Sequence, residues 1–271
     1  MMVRQLPALV IVLWILICLI GFIIPLTPDL IILEKILSPP GQDAWLGFDD
    51  LGRPMFDRLV LGARTSILVA SSVVSISFFL GTIVGLTAVW LGGWWDKITV
   101  IIIDVFIAFP GILLAIALAG LLGPGLSNII IALSLVGWVG FARLARAQTL
   151  TVKRRDHVIA ASALGSSSLT IMIKHILPLI MAPLIVEATF AVAGTVIAEA
   201  SLSFLGLGIQ PPESSWGSMI RDGTRYMMVA PHMVVIPGFA ISLVILSVNL
   251  LGDRLRDLMD IKTNSTLRDL D

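Results

Sequence analysis

The chain is organised around residues 156–178, DHVIAASALGSSSLTIMIKHILP, which lie between two strongly apolar segments. Asp156 is predicted to be the N-cap of a first helix of about two turns, which Gly165 would end. Residues 166–168 are serines, and they are predicted to cap a second helix that stops near Pro178.

Small residues crowd the first of these two helices. Ala160, Ala161, Ala163 and Gly165 leave its backbone accessible, so that another surface could approach it closely. An ordinary cytosolic loop is the alternative interpretation of the same features.

The rest of the sequence has the composition of an integral membrane protein. Of its 271 residues, 57% are hydrophobic and only 13% are charged, and the mean hydropathy is +1.01. Several apolar runs of about 20 residues are long enough to cross a bilayer as helices. The runs are continuously apolar and not alternating, which excludes a transmembrane barrel. The net charge of zero gives no support for nucleic-acid binding.

These runs predict an all-α fold with six transmembrane helices in a single domain, residues 1–271. Each span is predicted to be helical because backbone polar groups in lipid must be satisfied within the segment. A cytoplasmic loop, residues 145–179, would join the fourth and fifth spans. The predicted spans are Ala8–Leu26, Ser66–Leu91, Ile98–Leu122, Ile129–Leu144, Ile180–Leu207 and Met233–Leu251.

The basic residues predict the orientation of the chain. If the N-terminus is inside, most of the 18 lysines and arginines fall in inner segments, as the positive-inside rule requires. Both termini are therefore predicted to be cytoplasmic. Residues 156–178 would also be inside, where an ATP-hydrolysing partner could reach them.

Four residues within the predicted spans are candidates for a translocation pathway: Asp104, Pro110, Glu187 and Glu199. Ionisable groups in a membrane are costly and usually face a bundle interior or a water-filled cavity. Pro110 removes a backbone hydrogen bond and can kink its helix. Structural pairing with a neighbouring helix is the alternative for the three acidic residues.

Two further patterns lead to structural interpretations. Gly81 and Gly85 form a GxxxG pattern, which permits close helix packing, and packing within this chain is the favoured reading. Asp49, Asp50 and Asp57, with Asp43, could form a cation- or amine-binding face in the first outer segment. Simple solvation of these carboxylates is the favoured interpretation.

The sequence contains no recognisable catalytic motif. It has no Gly-x-x-x-x-Gly-Lys-Ser/Thr loop, so this chain is not expected to cradle nucleotide phosphates. His157, His175 and His232 do not share a zinc-ligand spacing with Cys18. No catalytic residue, metal site or cofactor is therefore predicted within the chain.

Several motifs within residues 45–260 resemble those of one protein family. The pattern Ala-Ala, three residues, Gly, then Leu-Pro in residues 160–178 is similar to the EAA loop of ABC importer permeases. The other motifs, in order, resemble the second permease of the dipeptide/oligopeptide/nickel group. They are GFDDLGR (47–53), LGAR (61–64), FP (109–110), LSFLGLG (202–208), QPP (210–212), SWG (215–217) and NLLGDRLRD (249–257). The sequence departs from the group at Ile159, where Glu is expected, and at His175 and Ile261.

This resemblance implies a MetI-like permease fold and a role in transport, in a bacterial cytoplasmic membrane. It implies a homologous second permease subunit in a heterodimer, two ABC ATPase subunits that bind ATP and Mg, and an extracytoplasmic substrate-binding protein. The substrate would be a short peptide, or alternatively nickel or another small solute. The ATPase-coupling loop would then contain Asp156, Ala160, Ala161, Gly165, His175, Leu177 and Pro178.

Two other functions stay open at this point. An ion-coupled secondary transporter would use Asp104, Glu187 and Glu199 as proton or cation sites and would need no ATPase. Such a transporter commonly contains an internal repeat, and none is evident. A structural assembly subunit is compatible with the composition, but it gives no reason for the pattern in residues 156–178.

Overall fold

The structure is a computed structural model that describes the backbone of residues 2–41 and 44–268 and the side chains of 5–21, 23–41 and 44–259. Within these residues the regular structure is helical, apart from a single bridge between Phe48 and Pro54. The α-helices are α1 (Met2–Ile23), α2 (Met55–Leu91), α3 (Gly93–Ala108), α4 (Gly111–Leu122), α5 (Leu126–Val152), α6 (Asp156–Ala163), α7 (Ser168–Thr170), α8 (Leu177–Phe204), α9 (Trp216–Thr224) and α10 (His232–Arg268). A 3-10 turn covers Leu33–Lys35, and a π-helical turn, Ile171–Ile176, joins α7 to α8.

Helices long and apolar enough to cross a bilayer confirm the multi-span all-α class. Among the described residues there are four: Met55–Leu91, Leu126–Val152, Ser168–Phe204 and His232–Met259. The pair α3 and α4 adds a fifth if it is one broken span. The first predicted span corresponds to a shorter apolar helix, Gln5–Gly21.

The third predicted span is not one continuous helix. The structure breaks it at Phe109 and Pro110, where α3 and α4 meet at 90°. Phe109 is extended, with φ −97° and ψ 139°, because a residue before proline is pushed out of the helical region. The break therefore lies where Pro110 was expected to kink the helix, and the predicted span Ile98–Leu122 falls in two helices.

The sequence predicts that the second helix of the loop stops near Pro178, but in the structure this helix continues past that residue. It continues through the π turn into α8 without a break. In the π turn the N–H of Leu177 donates to the carbonyl of Met172, five residues back. The wider turn shifts the hydrogen-bond pattern just before Pro178, which has no N–H to donate.

Two helices are longer than their predicted spans. α2 begins at Met55 instead of Ser66, and its 37 residues correspond to roughly 55 Å at 1.5 Å per residue. α5 continues to Val152 instead of ending at Leu144, and Lys153 follows it directly. Lys153 Nζ donates to the carbonyl of Val89 at 2.8 Å, so a polar contact ties the extended end of α5 to the last turn of α2.

The chain divides into two compact units. The first comprises Met1–Ser72, Ala115–Leu133 and Val192–Leu250. Its core includes Trp14 and Trp216, whose ring centroids lie 6.2 Å apart. Trp216 is only 3% exposed, and its Nε1 donates to the carbonyl of Leu59 at 3.0 Å, so this residue anchors α9 on α2.

The second unit comprises Val73–Leu114, Ser134–Ala191 and Leu251–Asp271. In it α2 packs against α5 through the two glycines of the GxxxG pattern. A Cβ atom at Gly81 would lie 2.5 Å from the carbonyl oxygen of Trp138, and one at Gly85 would overlap that of Ala142. The interpretation that these glycines serve packing within the chain is confirmed.

Candidate coupling segment and translocation residues

Helix α6 forms the first half of the predicted coupling loop. Its N-cap is Arg155, with φ −75° and ψ 145°, whose side chain makes no capping hydrogen bond among the described residues. Asp156 is the first helical residue and not the N-cap, so that expectation was wrong by one position. Its carboxylate still lies in the first turn, where negative charge is favourable next to free backbone N–H groups.

The end of α6 agrees with the prediction made for Gly165. This residue has φ +79°, a region that glycine enters without strain. Gly165 N donates to the carbonyl of Ser162 and Ser166 N donates to that of Ala161, each at 3.1 Å. These two bonds are the Schellman pattern, which satisfies carbonyls that the helix leaves free.

The second half of the loop packs back onto α6. Ser167 accepts a hydrogen bond from the N–H of Thr170 at 3.3 Å and so caps the helix that follows. The π turn then contacts α6. The rings of His157 and His175 come within 6.3 Å of each other across this contact, centroid to centroid.

The same loop exposes apolar side chains. Leu164 is 86% exposed and Leu169 62%, while Ile159 and Ile173 are each more than half exposed. Of the predicted coupling residues, Ala161 is buried, His175 and Leu177 are half-buried, and the others are exposed. The predicted residues thus lie in one continuous segment that exposes several large apolar side chains among its polar ones.

The four predicted translocation residues have different environments. Glu199 lies in the first unit and is fully buried. It accepts hydrogen bonds from Ser203 Oγ at 2.8 Å and from Ser66 Oγ at 3.3 Å. Because both carboxylate oxygens are hydrogen-bonded in the interior, its environment is that of a structural residue.

Glu187, Asp104 and Pro110 lie in the second unit. Glu187 is half-buried and lines a cavity of ≈ 620 Å³ between α5, α8 and α10. Asp104 is exposed on α3, and Pro110 is exposed at the bend between α3 and α4. Only Glu187 among the four therefore has the polar, hollow surroundings expected of a pathway residue.

A buried ion-pair cluster in the first unit was not anticipated. The Asp49 carboxylate, with no exposure, accepts from the guanidinium of Arg53 at 2.7 Å and from that of Arg58. Arg58 also pairs with Asp222 of α9 at 3.4 Å. The interpretation of Asp49 as a solvated carboxylate is wrong, and Asp43 lies outside the described residues.

Asp50 lies beside this cluster but is only weakly paired with it. Its Oδ1 is buried and has no hydrogen-bond partner among the described residues, and Arg53 Nη2 lies 3.7 Å away. Burial, followed by the neighbouring carboxylates Asp49 and Asp222, raises the pKa of Asp50 above its ordinary value. Sequence spacing could not indicate this arrangement, because Asp222 comes from a distant segment.

Comparison with known proteins identifies the family to which this chain belongs. Residues 77–264 match the family described as binding-protein-dependent transport system inner membrane component. The glutathione transport system permease protein GsiD of Escherichia coli O1:K1 is 42% identical over 229 residues, which are 84% of this chain and 76% of GsiD. GsiD of Pectobacterium atrosepticum is 40% identical over 232 residues, covering 86% of this chain and 77% of that one.

The fold is also that of a solved permease. A chain from the inward-facing conformations of the MetNI methionine ABC transporter superposes with a TM-score of 0.59 at 17% identity. The match covers 74% of this chain and 95% of that one, and it confirms the predicted MetI-like fold. The family and the apolar helices place the chain in the inner membrane as a multi-pass protein. The chain belongs to the binding-protein-dependent inner-membrane transport components, the permease subunits of ABC importers, which work with ATPase subunits and a substrate-binding protein.

Proposed function

We propose that this chain forms half of the translocation pathway of an ATP-driven importer of short peptides. A second, homologous permease subunit would supply the other half in a heterodimer. Two ABC ATPase subunits would bind ATP and Mg, and both termini of this chain would be cytoplasmic. The relatives that carry the name glutathione permease support a peptide substrate, because glutathione is itself a tripeptide.

The observation that carries the coupling role is the exposed apolar surface of residues 156–178. Leu164 and Leu169 would each face water in an isolated loop, at 86% and 62% exposure. Apolar groups in such numbers mark a surface that a partner covers. The family supports an ATPase subunit as this partner, and the loop would sit in a groove on its surface.

The contacts within the loop would allow it to move as one rigid body. The Schellman bonds at Gly165 fix its turn, and the packing of α6 on the π turn joins its two helices. The π turn continues into α8, which carries Glu187. Nucleotide can shift the pathway only if the ATPase contacts the loop differently in its two states, and this rigid connection would transmit that difference.

Reconstitution tests the proposal. The chain is co-expressed with its second permease, ATPases and binding protein, and the purified complex is placed in vesicles. We expect ATP-dependent uptake of radiolabelled glutathione or trialanine, and co-purification of a second permease with two ATPases. Uptake driven by an ion gradient without any ATPase would overturn the importer mechanism. Uptake of nickel or another small solute, with no uptake of peptide, would overturn the substrate class.

A further inference from the structure

A cavity of ≈ 620 Å³ opens between α5, α8 and α10 in the second unit. This volume lies in the range of about 300–1,000 Å³ that is usual for small-molecule sites. Its apolar wall includes Leu144 and Phe190, and its polar lining is Gln148, Arg155, Glu187 and Arg256. The cavity is therefore large enough for a short peptide and carries charges of both signs.

Three charged side chains line the cavity. Glu187 is half-buried, and Arg155 and Arg256 are exposed. Among the side chains that the structure describes, none of the three takes part in an ion pair. Gly140 on α5 leaves room beside Glu187, since a Cβ there would lie 3.8 Å from Oε1.

Charges of opposite sign that line one cavity without pairing with each other match a ligand that carries both. We infer that this cavity binds the transported peptide as a zwitterion, in a site distinct from that on the binding protein. Glu187 would accept the α-ammonium group, and Arg155 and Arg256 would bind the terminal carboxylate, for which a guanidinium fork is well matched. This inference rests on the proposed function, which supplies the peptide and places the cavity towards the cytoplasm.

The site is physically joined to the coupling segment. Arg155 lines the cavity and is also the N-cap residue of α6. A carboxylate held by Arg155 restrains the start of α6, the helix that would seat on the ATPase. Peptide accumulated on the cytoplasmic side therefore lowers the rate of ATP hydrolysis by the complex.

Blocked peptides test the site without altering the protein. The assembled complex in nanodiscs, without binding protein or nucleotide, is titrated with trialanine, N-acetyl-trialanine and trialanine amide. Each blocked peptide lacks one charge, so we expect it to bind roughly tenfold more weakly than trialanine, as for the loss of one charged hydrogen bond. Equal binding of the three peptides by the wild type would overturn the inference.

Variants then assign each charge to its residue. Glu187→Gln should abolish the preference for trialanine over N-acetyl-trialanine. Arg256→Gln should abolish the preference for trialanine over trialanine amide. Matched controls are Asp253→Asn and Arg143→Gln, exposed charges on α10 and α5 that do not line the cavity. These controls should keep both preferences. When ATP and Mg are then added to these samples, trialanine should slow ATP hydrolysis by the wild type and the controls, but not by the two cavity variants.

The two proposals fail in different ways. A complex that imports trialanine with ATP, yet shows no charge-dependent binding in nanodiscs, refutes the cavity site alone. A complex that imports no peptide at all refutes the proposed function. If an assembled Glu187→Gln complex still prefers trialanine over N-acetyl-trialanine, a group other than Glu187 binds the ammonium.

Discussion

Ser203 Oγ donates a hydrogen bond of 2.8 Å to Glu199 one turn earlier in α8, and both side chains are completely buried. Ser203 also accepts from the N–H of Ile209 at 3.3 Å. Glu199 accepts a second bond from Ser66 of α2. The carboxylate thus ties the end of α8 both to α2 and to the segment that returns towards α9.

Replacing Glu199 with alanine should destabilise the protein. The substitution leaves buried serine hydroxyls without their acceptor, which costs about 1–3 kcal/mol. Glu199→Gln should be milder, because the amide oxygen can still accept one bond. Thermal unfolding in detergent measures the difference. Glu187→Ala on the same helix is the control, since Glu187 has no hydrogen-bonded partner among the described residues, and it should barely change the melting temperature.

Gly165 should be required for coupling because of its backbone conformation. A Cβ at this position would meet nothing within 4 Å among the described residues, but φ +79° strains a β-branched residue. Gly165→Val should therefore uncouple ATP hydrolysis from uptake in reconstituted vesicles while the protein still inserts. Gly165→Asn, which tolerates this conformation better, should keep substantial coupling. If Gly165→Val transports normally, the loop does not act as the coupling element.

Asp49 should be much more sensitive to replacement than Asp57. Removing Asp49 takes the shared acceptor away from the buried guanidinium groups of Arg53 and Arg58, and breaking a buried pair costs about 3–5 kcal/mol. We expect Asp49→Ala to lower the melting temperature strongly or to prevent purification of folded protein. Asp57→Ala is the control, because that carboxylate accepts only near the surface, from the N–H and hydroxyl of Thr27. Similar losses in both variants would contradict the special role of Asp49.

Replacing Asp50 should raise the stability of the protein, whereas replacing Asp49 lowers it, and the gain should depend on pH. The raised pKa of Asp50 means that the folded state binds a proton more tightly than the unfolded state does. Its ionised form therefore costs stability at neutral pH, and that cost disappears as pH falls below the raised pKa. Asp50→Asn should raise the melting temperature at pH 7, with a gain that shrinks towards pH 4. A loss of stability at pH 7, or a gain independent of pH, would contradict this account.

Gly85 should not tolerate even a methyl group. A Cβ there overlaps the carbonyl of Ala142, so the backbones of α2 and α5 would have to separate, at a cost of about 1–3 kcal/mol. Gly120→Ala is the matched control, because a Cβ at that position of α4 meets nothing within 4 Å. Helix propensity favours alanine over glycine, so the control should stabilise the protein. Unfolding curves that show Gly85→Ala to be harmless would contradict the close packing.

Local features of the sequence predicted much of the fold. Continuous apolar runs indicate membrane helices, because lipid leaves the backbone no other partner. The break at Pro110 and the turn at Gly165 were also predictable, since each depends on the conformation of a single residue. Helix ends were less accurate: α2 begins earlier because Arg58 is stabilised by contacts outside its own helix, which hydropathy does not record.

Long-range contacts decided the roles of the charged residues. Glu187 and Glu199 look alike in the sequence, yet one lines a cavity and the other bonds to Ser66, 133 residues away. Arg58 likewise pairs with Asp222 across 164 residues. The sequence by itself determined the class of protein, most of its apolar helices and the turn at Gly165, because these depend on composition and local backbone geometry. Only the tertiary structure decided which charges are buried and paired and which remain open to a ligand, because that depends on which helices meet.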